Sequence, residues 1–334
     1  LNVSYCKSCK LLQLNESINE KEIYKKFFYE ISVTSGLQNH YYKFEKFFTK
    51  NFKIKTANKK IIDIGCNDGS FLEPFKQSGY QVLGVEPVKK FKRICEKKNI
   101  KVLNTYFNKK LANIFFKKNT KFDVISVNFL VANIDYLNEF IDAINKISKN
   151  KSYLIIETSH ILSVIRKKLY DTFFHEHIFY FFLNNLRNIF KKKKFEIHFV
   201  EQTKSKGGSL RIIFKKNEKC KSIHTKNKIN KIINKEKKYL FNYETYANFN
   251  KYLNQTKLNI HSLLKSYNDK IVVFGASVAS TTIIKKFNLE KKIDYFIDDN
   301  RLMYSKFNPL NKRPVYSPSK FFNDTKNNTL MIIA

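Results

Sequence analysis

The chain lacks the signatures of several large protein classes. Its 334 residues contain no apolar run near the ~20 residues of a membrane span, and the N-terminus has no apolar stretch typical of a secretory signal. Its five cysteines form one close pair and three scattered sites, which do not suit a disulfide framework. We therefore predict a cytoplasmic protein with reduced thiols and no membrane partner.

Acidic residues are also scarce. The chain has 63 Lys and Arg against 28 Asp and Glu, so its net charge is +35. Such a charge attracts polyanions and raises nucleic acid as a partner. The lysines are nevertheless scattered and form no arginine-rich or glycine-aromatic RNA motif, so nucleic acid is disfavoured. The 32 Phe and 19 Tyr support real cores, and the length allows two domains and a small third one.

The most informative stretch is residues 60–72, "KIIDIGCNDGSFL". Its isoleucines predict a buried parallel strand, Gly65 and Gly69 permit a tight turn close to a ligand, and a helix is predicted to follow. This order is typical of a nucleotide-cofactor loop. A second strand, residues 81–85, ends at Glu86 and Pro87. Glu86 follows Gly65 by about 20 residues, the separation at which an acid binds a ribose diol.

One site is therefore predicted to contain Asp63, Gly65, Asp68 and Glu86. The loop lacks G-x-G-x-x-G and the Lys-Ser/Thr of a P-loop, which disfavours a dinucleotide or a triphosphate. Strands near residues 102 and 123–127, with helices between them, extend the alternating β/α pattern. Asn128 and Asn133 follow the last of these strands and are site candidates, although solvated loop amides fit as well. A strand and turn without a ligand is the alternative for the whole stretch.

A second stretch, residues 170–186, reads "YDTFFHEHIFYFFLNNL" and places His175, Glu176 and His177 among aromatic side chains. A His-Glu pair can titrate in such a pocket of low dielectric. If the segment is extended, the two histidines share a face, but no third protein ligand is near and H-E-H is not H-E-x-x-H, so a metal is disfavoured. A hydrogen-bonded core histidine is the alternative.

The remaining stretches organise the second half of the chain. Strands at 195–200 and 210–214 are predicted to pair through "KSKGGS", whose two glycines permit close backbone approach. Residues 215–268 have the apolar spacing of a helical connector. Residues 270–298 then repeat the β-Gly-α-β order, with Asp298 about 20 residues after Gly275. We favour a structural repeat over a second nucleotide site, since this loop has a single glycine.

The N-terminal segment carries a C-x-x-C knuckle, Cys6 and Cys9, which is half of a tetrahedral zinc site. The chain begins at Leu1 and ends at Ala334 directly after an apolar strand, so we expect truncation at both ends. Either a partner pair precedes Leu1 or the two thiols are exposed and unligated. Residues 20–28 and 41–52 have helical spacing around "YEISVTSGLQNH", which predicts a small domain whose loop covers the cofactor.

Together these motifs resemble the sugar C-methyltransferases that act on nucleotide-linked keto-deoxysugars, over nearly the whole chain. The segments that carry the resemblance are "CKSCKLLQL", "YEISVTSGLQNH", "DIGCNDGSFL" with "GVEP", "YDTFFHEHIFYF", "GGSLR" and "VVFGAS…IDYFIDDN". In the same order, these six segments look like the end of a zinc-binding segment, a serine-rich lead-in, an S-adenosylmethionine (SAM) site, a Tyr-His-Glu-His stretch, a glycine loop and a C-terminal domain. Each is weak alone, but six in order are specific, and they favour a damaged zinc ribbon at the knuckle.

The resemblance implies an α/β fold with a Rossmann-like SAM methyltransferase domain at residues 53–215. A small zinc-ribbon remnant with helices would occupy residues 1–52, and a helical connector with a C-terminal αβ domain would occupy 216–334. The implied reaction is methyl transfer to a sugar carbon beside a keto group, which needs a base for the carbon acid and a donor for the enolate. His177 would be the base, Glu176 its orienter or a sugar ligand, and His175 or Lys206 a partner of the enolate or a phosphate.

The resemblance also assigns ligands to individual positions. The expected SAM residues are Asp63, Gly65, Asn67, Asp68, Gly69, Glu86, Pro87 and Asn128. The expected substrate residues are Tyr29, Lys206, Gly207, Gly208, Ser209 and Arg211. Zinc is expected at Cys6 and Cys9, incompletely held in this chain.

The sequence departs from the family at four positions. Phe174 replaces a tyrosine, Phe179 a serine, Lys206 a histidine and Ser280 a glycine. The lost hydroxyl and imidazole change how the sugar is held or how its carbonyl is polarised. Two rival functions therefore stay open: an RNA or protein methyltransferase recruited by the basic surface, and a sugar-nucleotide-binding protein with a decayed catalytic motif. The strand end "VNFLVAN" lacks the Asn/Asp-Pro-Pro-Tyr that would favour base methylation.

Overall fold

The computed structural model describes residues 2–25, 27, 29–34, 36–324 and 329–333. The chain divides into a large unit, residues 2–163 and 175–238, and a small unit, residues 164–174 and those from 239 onward. The N-terminal segment that we predicted as a separate part lies in the large unit. The reason is its packing, because Tyr41, Phe44 and Phe48 are buried in one core cluster with Ile61 and Val124.

The first ten strands are β1 (Val3–Tyr5), β2 (Leu12–Leu14), β3 (Lys60–Ile64), β4 (Gln81–Val85), β5 (Lys101–Leu103), β6 (Phe122–Asn128), β7 (Ser148–Ser159), β8 (Phe179–Tyr180), β9 (Phe195–Thr203) and β10 (Ser209–Lys216). The first nine helices are α1 (Glu20–Tyr24), α2 (Leu37–Asn51), α3 (Leu72–Gln77), α4 (Lys89–Lys97), α5 (Lys109–Lys117), α6 (Leu137–Ile147), α7 (Ile161–Lys167), α8 (Leu183–Lys191) and α9 (Ile223–Leu240).

The central sheet of the large unit has the order β5-β4-β3-β6-β7-β10-β9. Strands β3 to β7 pair in parallel, whereas β10 is antiparallel to both β7 and β9. From β3 the chain order runs outward through β4 and β5 on one side and through β6 and β7 on the other. Such a reversal opens a crevice at the carboxyl ends of the strands, where ligands bind in open α/β sheets. The predicted Rossmann-like fold is confirmed.

Both faces of this sheet are covered, which explains the apolar runs in its strands. Ile61 and Ile155 belong to the core cluster that contains α2 and α3, while their neighbours Ile62 and Ile156 belong to the cluster that contains α6, α8 and α9. The alternation of side chains along a strand produces this division. The crevice therefore lies at one edge of a rigid layer.

Some predicted element boundaries in the large unit were wrong. Helix α1 ends at Tyr24 rather than at Phe28, which lies outside the described residues, and α2 begins at Leu37, before Tyr41. Gly36 precedes α2 with φ of 77°, a conformation that suits glycine, so the helix can begin there. Strands β1, β2 and β8 form a separate three-stranded sheet.

The stretch at residues 170–186 is not extended. It contains a 3₁₀ turn at Tyr170–Thr172, a turn at 175–176, the two residues of β8 and the start of α8. The face that His175 and His177 would share in a strand is therefore absent.

The small unit contains a parallel sheet of order β13-β12-β11-β14. Its strands are β11 (Ile271–Phe274), β12 (Tyr295–Ile297), β13 (Val315–Tyr316) and β14 (Leu330–Ile333), and its further helices are α10 (Tyr243–Leu263), α11 (Val278–Phe287) and α12 (Pro318–Asp324). The predicted β-Gly-α-β repeat and the helical connector are confirmed. None of the described helices has the length and apolar character needed to cross a membrane.

Candidate functional site

The loop after β3 lies at the crevice of the central sheet. Gly65 has φ of 74°, and its amide donates to the Val85 carbonyl at 2.8 Å, which joins the ends of β3 and β4. The positive φ favours glycine here, and a Cβ would lie 2.8 Å from Cδ2 of Leu130, so that side chain would have to move. Gly69 has φ of 78°, and a Cβ there would lie 3.0 Å from Sγ of Cys95.

Glu86, at the end of β4, is bound to this loop. Its Oε2 accepts from the Asn67 amide at 3.0 Å, and its Oε1 accepts from the Val88 amide at 2.9 Å. Burial raises the pKa of Glu86 to about 6, although both amides favour the ionised form. The Pro87 carbonyl accepts from Asn104 Nδ2 at 2.8 Å, which holds the turn that follows Glu86. The acid is thus fixed in orientation, with acceptor capacity left for hydroxyl groups.

Asp63 and Asn128 face one another at the ends of β3 and β6. Asp63 is buried and accepts from Ser126 Oγ at 2.7 Å and from Asn128 Nδ2 at 3.4 Å. Burial raises its pKa to about 7 despite these bonds, and the charge of Glu86 adds to the rise. Oδ1 of Asn128 is buried and has no hydrogen-bond partner among the described residues. An unmatched buried acceptor is costly and indicates a ligand with a donor group.

The side chains of Asn67 and Asp68 bind the N-terminal segment. Asn67 accepts from the Ile31 amide at 3.1 Å and donates through Nδ2 to the Tyr29 carbonyl at 2.9 Å. Asp68 accepts from the Ser32 amide at 2.7 Å and from Ser70 Oγ at 2.6 Å. Residues 29–34 are therefore held directly against the loop after β3.

Lys206 lies close to Tyr29, Phe129 and Glu176. Its Nζ is 4.6 Å from the ring centre of Tyr29 and 4.2 Å from that of Phe129, which are cation–π distances. Burial raises the pKa of Glu176, and the charge of Lys206 opposes that rise. Lys206 itself is exposed, so its ammonium is accessible to a ligand. Gly207 and Gly208 continue the loop with φ of 79° and 132°.

Tyr24 links the residues around Glu86 with those around Glu176. Its hydroxyl accepts from Asn133 Nδ2 at 3.1 Å, and Oδ1 of Asn133 is buried without a hydrogen-bond partner among the described residues. Burial raises the pKa of Tyr24, and the charges of Glu176 and Glu86 raise it further. A single hydroxyl therefore lies within electrostatic reach of the acid at the end of β4 and of the acid in the His-Glu-His turn.

The two histidines of that turn differ in their surroundings. His175 is exposed, whereas His177 is partly buried with its ring edge-on to Tyr180 at a centroid distance of 6.3 Å. The two rings are thus placed in different environments, with Glu176 between them in the chain.

A buried ion network lies beside the site, and sequence reasoning missed two of its members, His40 and Glu157. His40 Nε2 lies 2.9 and 3.0 Å from the carboxylate oxygens of Glu157, and Arg211 donates to Oε2 of Glu157 from Nε at 3.0 Å and from Nη2 at 2.7 Å. Burial alone would raise the pKa of Glu157, but the hydrogen bond of His40 and the charge of Arg211 lower it to about 2. Arg211, expected at the substrate, binds Glu157 and Glu201.

Ser209, the other substrate candidate near Arg211, donates its hydroxyl to the Ser205 carbonyl at 2.9 Å and is buried. The one sequence signal for Glu157 was a carboxylate at the end of a buried strand. No sequence pattern marked His40, because its partner Glu157 lies 117 positions away in the chain.

The cysteine knuckle forms the turn between β1 and β2. The Cys6 amide donates to the Leu11 carbonyl at 2.9 Å, and the Lys10 amide donates to the Cys6 carbonyl at 2.8 Å. Hydrogen bonds from the backbone and side chain of Cys9 and from the backbone of Ser8 lower the pKa of the Cys6 thiol. No three His, Cys, Asp or Glu side chains of the described residues are grouped so that they could hold a metal ion.

Comparison with known families shows two matches along the chain. A family model described as "C-methyltransferase C-terminal domain" matches residues 204–334, and one described as "Methyltransferase domain" matches residues 37–199. The C-methyltransferase NovU of Streptomyces niveus is 21% identical over 210 residues, which cover 63% of this chain and 50% of that protein. The chain therefore resembles SAM-dependent C-methyltransferases over two successive regions.

Other similarities are more partial. The ubiquinone biosynthesis O-methyltransferase of Pelagibacter ubique is 30% identical over 122 residues, 33% of this chain and 48% of that protein. The chain thus spans about half the length of the curated relatives it matches. A magnesium protoporphyrin IX methyltransferase of Synechocystis with bound S-adenosylhomocysteine has 14% identity and a TM-score of 0.45, covering 59% of this chain and 92% of its own.

The residues at the crevice fit the cofactor of this family. SAM carries a ribose diol, an ammonium group and a carboxylate on a chain that passes close to backbone. The crevice offers a fixed carboxylate at Glu86, an unmatched buried acceptor at Asn128, and a loop at Gly65 without room for a side chain.

Proposed function

We propose that the protein transfers a methyl group from SAM to the carbon beside the keto group of a nucleotide-linked deoxysugar. The observation that carries this proposal is the position of Tyr29, whose carbonyl accepts from Asn67 Nδ2 in the Glu86-bound loop at 2.9 Å and whose ring lies 4.6 Å from Lys206 Nζ. A cofactor bound at Glu86 would therefore lie beside the His-Glu-His turn and Lys206. Proximity of a methyl donor to groups that can deprotonate a carbon acid is what C-methylation requires.

The cofactor residues follow from the geometry of the loop. Glu86 would accept from the ribose hydroxyls, Asn128 and Asp63 would accept from the ammonium group, and Gly65 would admit the methionine part. Bound SAM supplies an electrophilic methyl group. Asn67 and Asp68 would act indirectly, because their side chains bind residues 29–34 and hold that segment beside the cofactor loop.

The reacting carbon is a weak acid and needs a base and a partner for the negative charge. His177 would take the proton from the carbon beside the keto group. That carbon would then form a bond to the methyl carbon as the methyl–sulfur bond breaks, and S-adenosylhomocysteine would leave. The ammonium of Lys206 would stabilise the negative oxygen of the enolate, a role that Phe174 cannot perform because it lacks a hydroxyl. Glu176 lies between these groups in the sequence and would bind a sugar hydroxyl or orient the base.

We also propose that Cys6 and Cys9 bind zinc together with two ligands from outside the described residues. Support comes from the knuckle backbone and from the amides directed at the Cys6 thiol, which favour its thiolate. In a protein that is extended upstream of Leu1, metal analysis should find about one zinc per chain. Absence of zinc there would make the knuckle a plain hairpin turn.

The decisive experiment is incubation with methyl-labelled SAM and a panel of nucleotide keto-sugars, followed by product mass. One member of the panel should gain one methyl group on carbon. The His177→Ala variant should lose this activity while SAM affinity is retained, and His175→Ala serves as the matched control with a milder effect because its ring is exposed.

Two outcomes would contradict the proposal. Near wild-type turnover by His177→Ala would move the base to Tyr29 or Lys206. Methylation of RNA or protein, with none of the sugars modified, would replace the substrate class.

A further inference from the structure

Besides Asn67, two residues of the site have backbone conformations that L-amino acids rarely adopt. Lys206 has φ of 45° and ψ of 49°, and Phe129, directly after β6, has φ of 52°. Of the described non-glycine residues with positive φ, Phe129 is the aromatic one. A bulky residue in this region is a genuine outlier, and such strain persists where surrounding contacts impose it.

The two strained residues meet one another and share an anchor. The Lys206 ammonium lies over the Phe129 ring at 4.2 Å. The Phe129 amide donates to the Glu157 carbonyl at 2.7 Å, and the hydroxyl of Ser205 donates to Glu157 Oε1 at 2.7 Å. Glu157 is therefore bonded to the residue before Lys206 through its side chain and to Phe129 through its backbone.

Glu157 is well suited to hold a loop. Its side chain is fully buried, and Arg211 and His40 bind its carboxylate with the distances given above. Arg211 alone already satisfies the charge of one carboxylate, yet Thr203 Oγ1 at 3.1 Å and Ser205 Oγ both donate to Oε1. These two donors come from the start of the loop that carries Lys206. The carboxylate thus connects the rigid sheet to the loop.

The loop is closed on its other side as well. The Ser205 carbonyl accepts from the Gly208 amide at 2.9 Å and from Ser209 Oγ at 2.9 Å, and the Gly208 carbonyl accepts from the His160 amide at 3.1 Å. Lys206 and Gly207 are left to project from a loop that is fixed at both ends.

We propose that Glu157 is a positioning residue for Lys206. It holds the Ser205 hydroxyl and the strained Phe129, and thereby places the Lys206 ammonium over the Tyr29 and Phe129 rings, facing Glu176. From there the ammonium meets the negatively charged oxygen of the substrate. The nature of that oxygen rests on the proposed function, but the placement of the ammonium does not.

The kinetic test uses Ser205→Ala, because this change removes the shorter of the two side-chain bonds between the loop and Glu157 and leaves the buried Glu157–Arg211 pair intact. With the sugar substrate, kcat should fall by about tenfold to a hundredfold, since a misplacement of about 1 Å has effects of this size. SAM affinity and the melting temperature should stay near those of the wild type. Glu201→Gln is the matched control, because Glu201 binds Arg211 on the half-exposed side, away from the loop.

A double-mutant cycle separates positioning from a general structural effect. If Ser205 acts through Lys206, Ser205→Ala should have no further effect on kcat in a Lys206→Met background. Effects that multiply in the double variant would overturn the proposal.

A labelling experiment does not depend on turnover. Acylation of Lys206 by an activated ester, followed by mass spectrometry, should be several-fold faster in Ser205→Ala than in the wild type, because the ammonium is released from the two rings. Lys204 is exposed and two residues away, so it serves as the internal reference. Equal labelling of Lys206 in both proteins would overturn the proposal. A wild type that methylates no sugar but shows the labelling difference would refute only the proposed function.

Discussion

Glu86 shows how one side chain can organise a binding loop. Its two oxygens are bound by amides on either side of it, one from the loop after β3 and one from its own turn. Asp298 repeats this arrangement in the small unit, where its Oδ2 accepts from the Ala276 amide at 2.7 Å and Oδ1 accepts from the Asn300 amide at 2.8 Å. The shared hydrogen-bond pattern provides a control at a different location.

We expect Glu86→Ala to weaken SAM binding by about 1–3 kcal/mol, the usual cost of leaving buried polar partners unmatched. Isothermal calorimetry measures this difference. Asp298→Ala removes the same pair of loop bonds in the small unit and should leave SAM affinity unchanged. Equal losses in the two variants would mean that the effect comes from general loosening, and no loss at Glu86 would remove it from the cofactor site.

Prediction from sequence succeeds for residues whose role is local. The spacing from Gly65 to Glu86 is fixed by one strand, one helix and a second strand, so the pattern carries the geometry. Asn67 and Asp68 lie in the same motif, yet their side chains bind residues 29–34, and nothing in the spacing indicates that partner. His40 and Glu157 escaped notice because a buried ion network depends on tertiary packing alone.

At the level of elements, the sheet strands were predictable because each is a short apolar run between turn residues. The stretch at 170–186 was not, since its aromatic side chains follow neither a period of two nor one of 3.6. Helix α9 was predicted as part of a connector, but the buried side chain that holds this helix in place was not predicted. Glu236 on α9 is buried and accepts from His160 Nε2 at 2.9 Å and from the Leu183 amide at the start of α8 at 2.7 Å.

Replacement of Glu236 should destabilise the fold. We expect Glu236→Ala to lower the free energy of unfolding by about 3–5 kcal/mol, because it leaves a buried histidine and the N-terminus of α8 without their acceptor. Urea denaturation is the measurement, and Lys235→Ala, one residue away and exposed, is the control. A loss below about 1 kcal/mol would show that water can replace the carboxylate.

At the level of the whole molecule, the buried acids give stability two opposite dependences on pH. Asp63 and Glu86 have raised pKa values, about 7 and about 6, so the folded state holds their protons more tightly than the unfolded state does. Their stabilising effect is complete below the unfolded pKa values and is lost as pH rises through the folded ones. Glu157, with its pKa lowered to about 2, stabilises the fold above its unfolded value and loses that effect as pH falls toward 2.

This dependence predicts the behaviour of Asp63→Asn in the absence of SAM. The unfolding free energy of the variant minus that of the wild type should rise by a few kcal/mol from about pH 4.5 to about pH 8. The rise is expected because the wild type must ionise a buried carboxyl over that range. Urea denaturation at both pH values gives the difference. A constant difference between the two proteins would mean that Asp63 titrates near its unfolded value.

The loop after β3 is held by Glu86 on one side and by residues 29–34 on the other. Its shape is therefore fixed by bonds within the protein, and little conformational entropy remains to be lost when a ligand arrives. An Asp68→Ala variant would keep Glu86, Asp63 and Asn128 and lose the bond between this loop and the Ser32 amide. Such a variant should bind SAM more weakly, with a less favourable entropy, although the three residues proposed to contact the cofactor are unchanged.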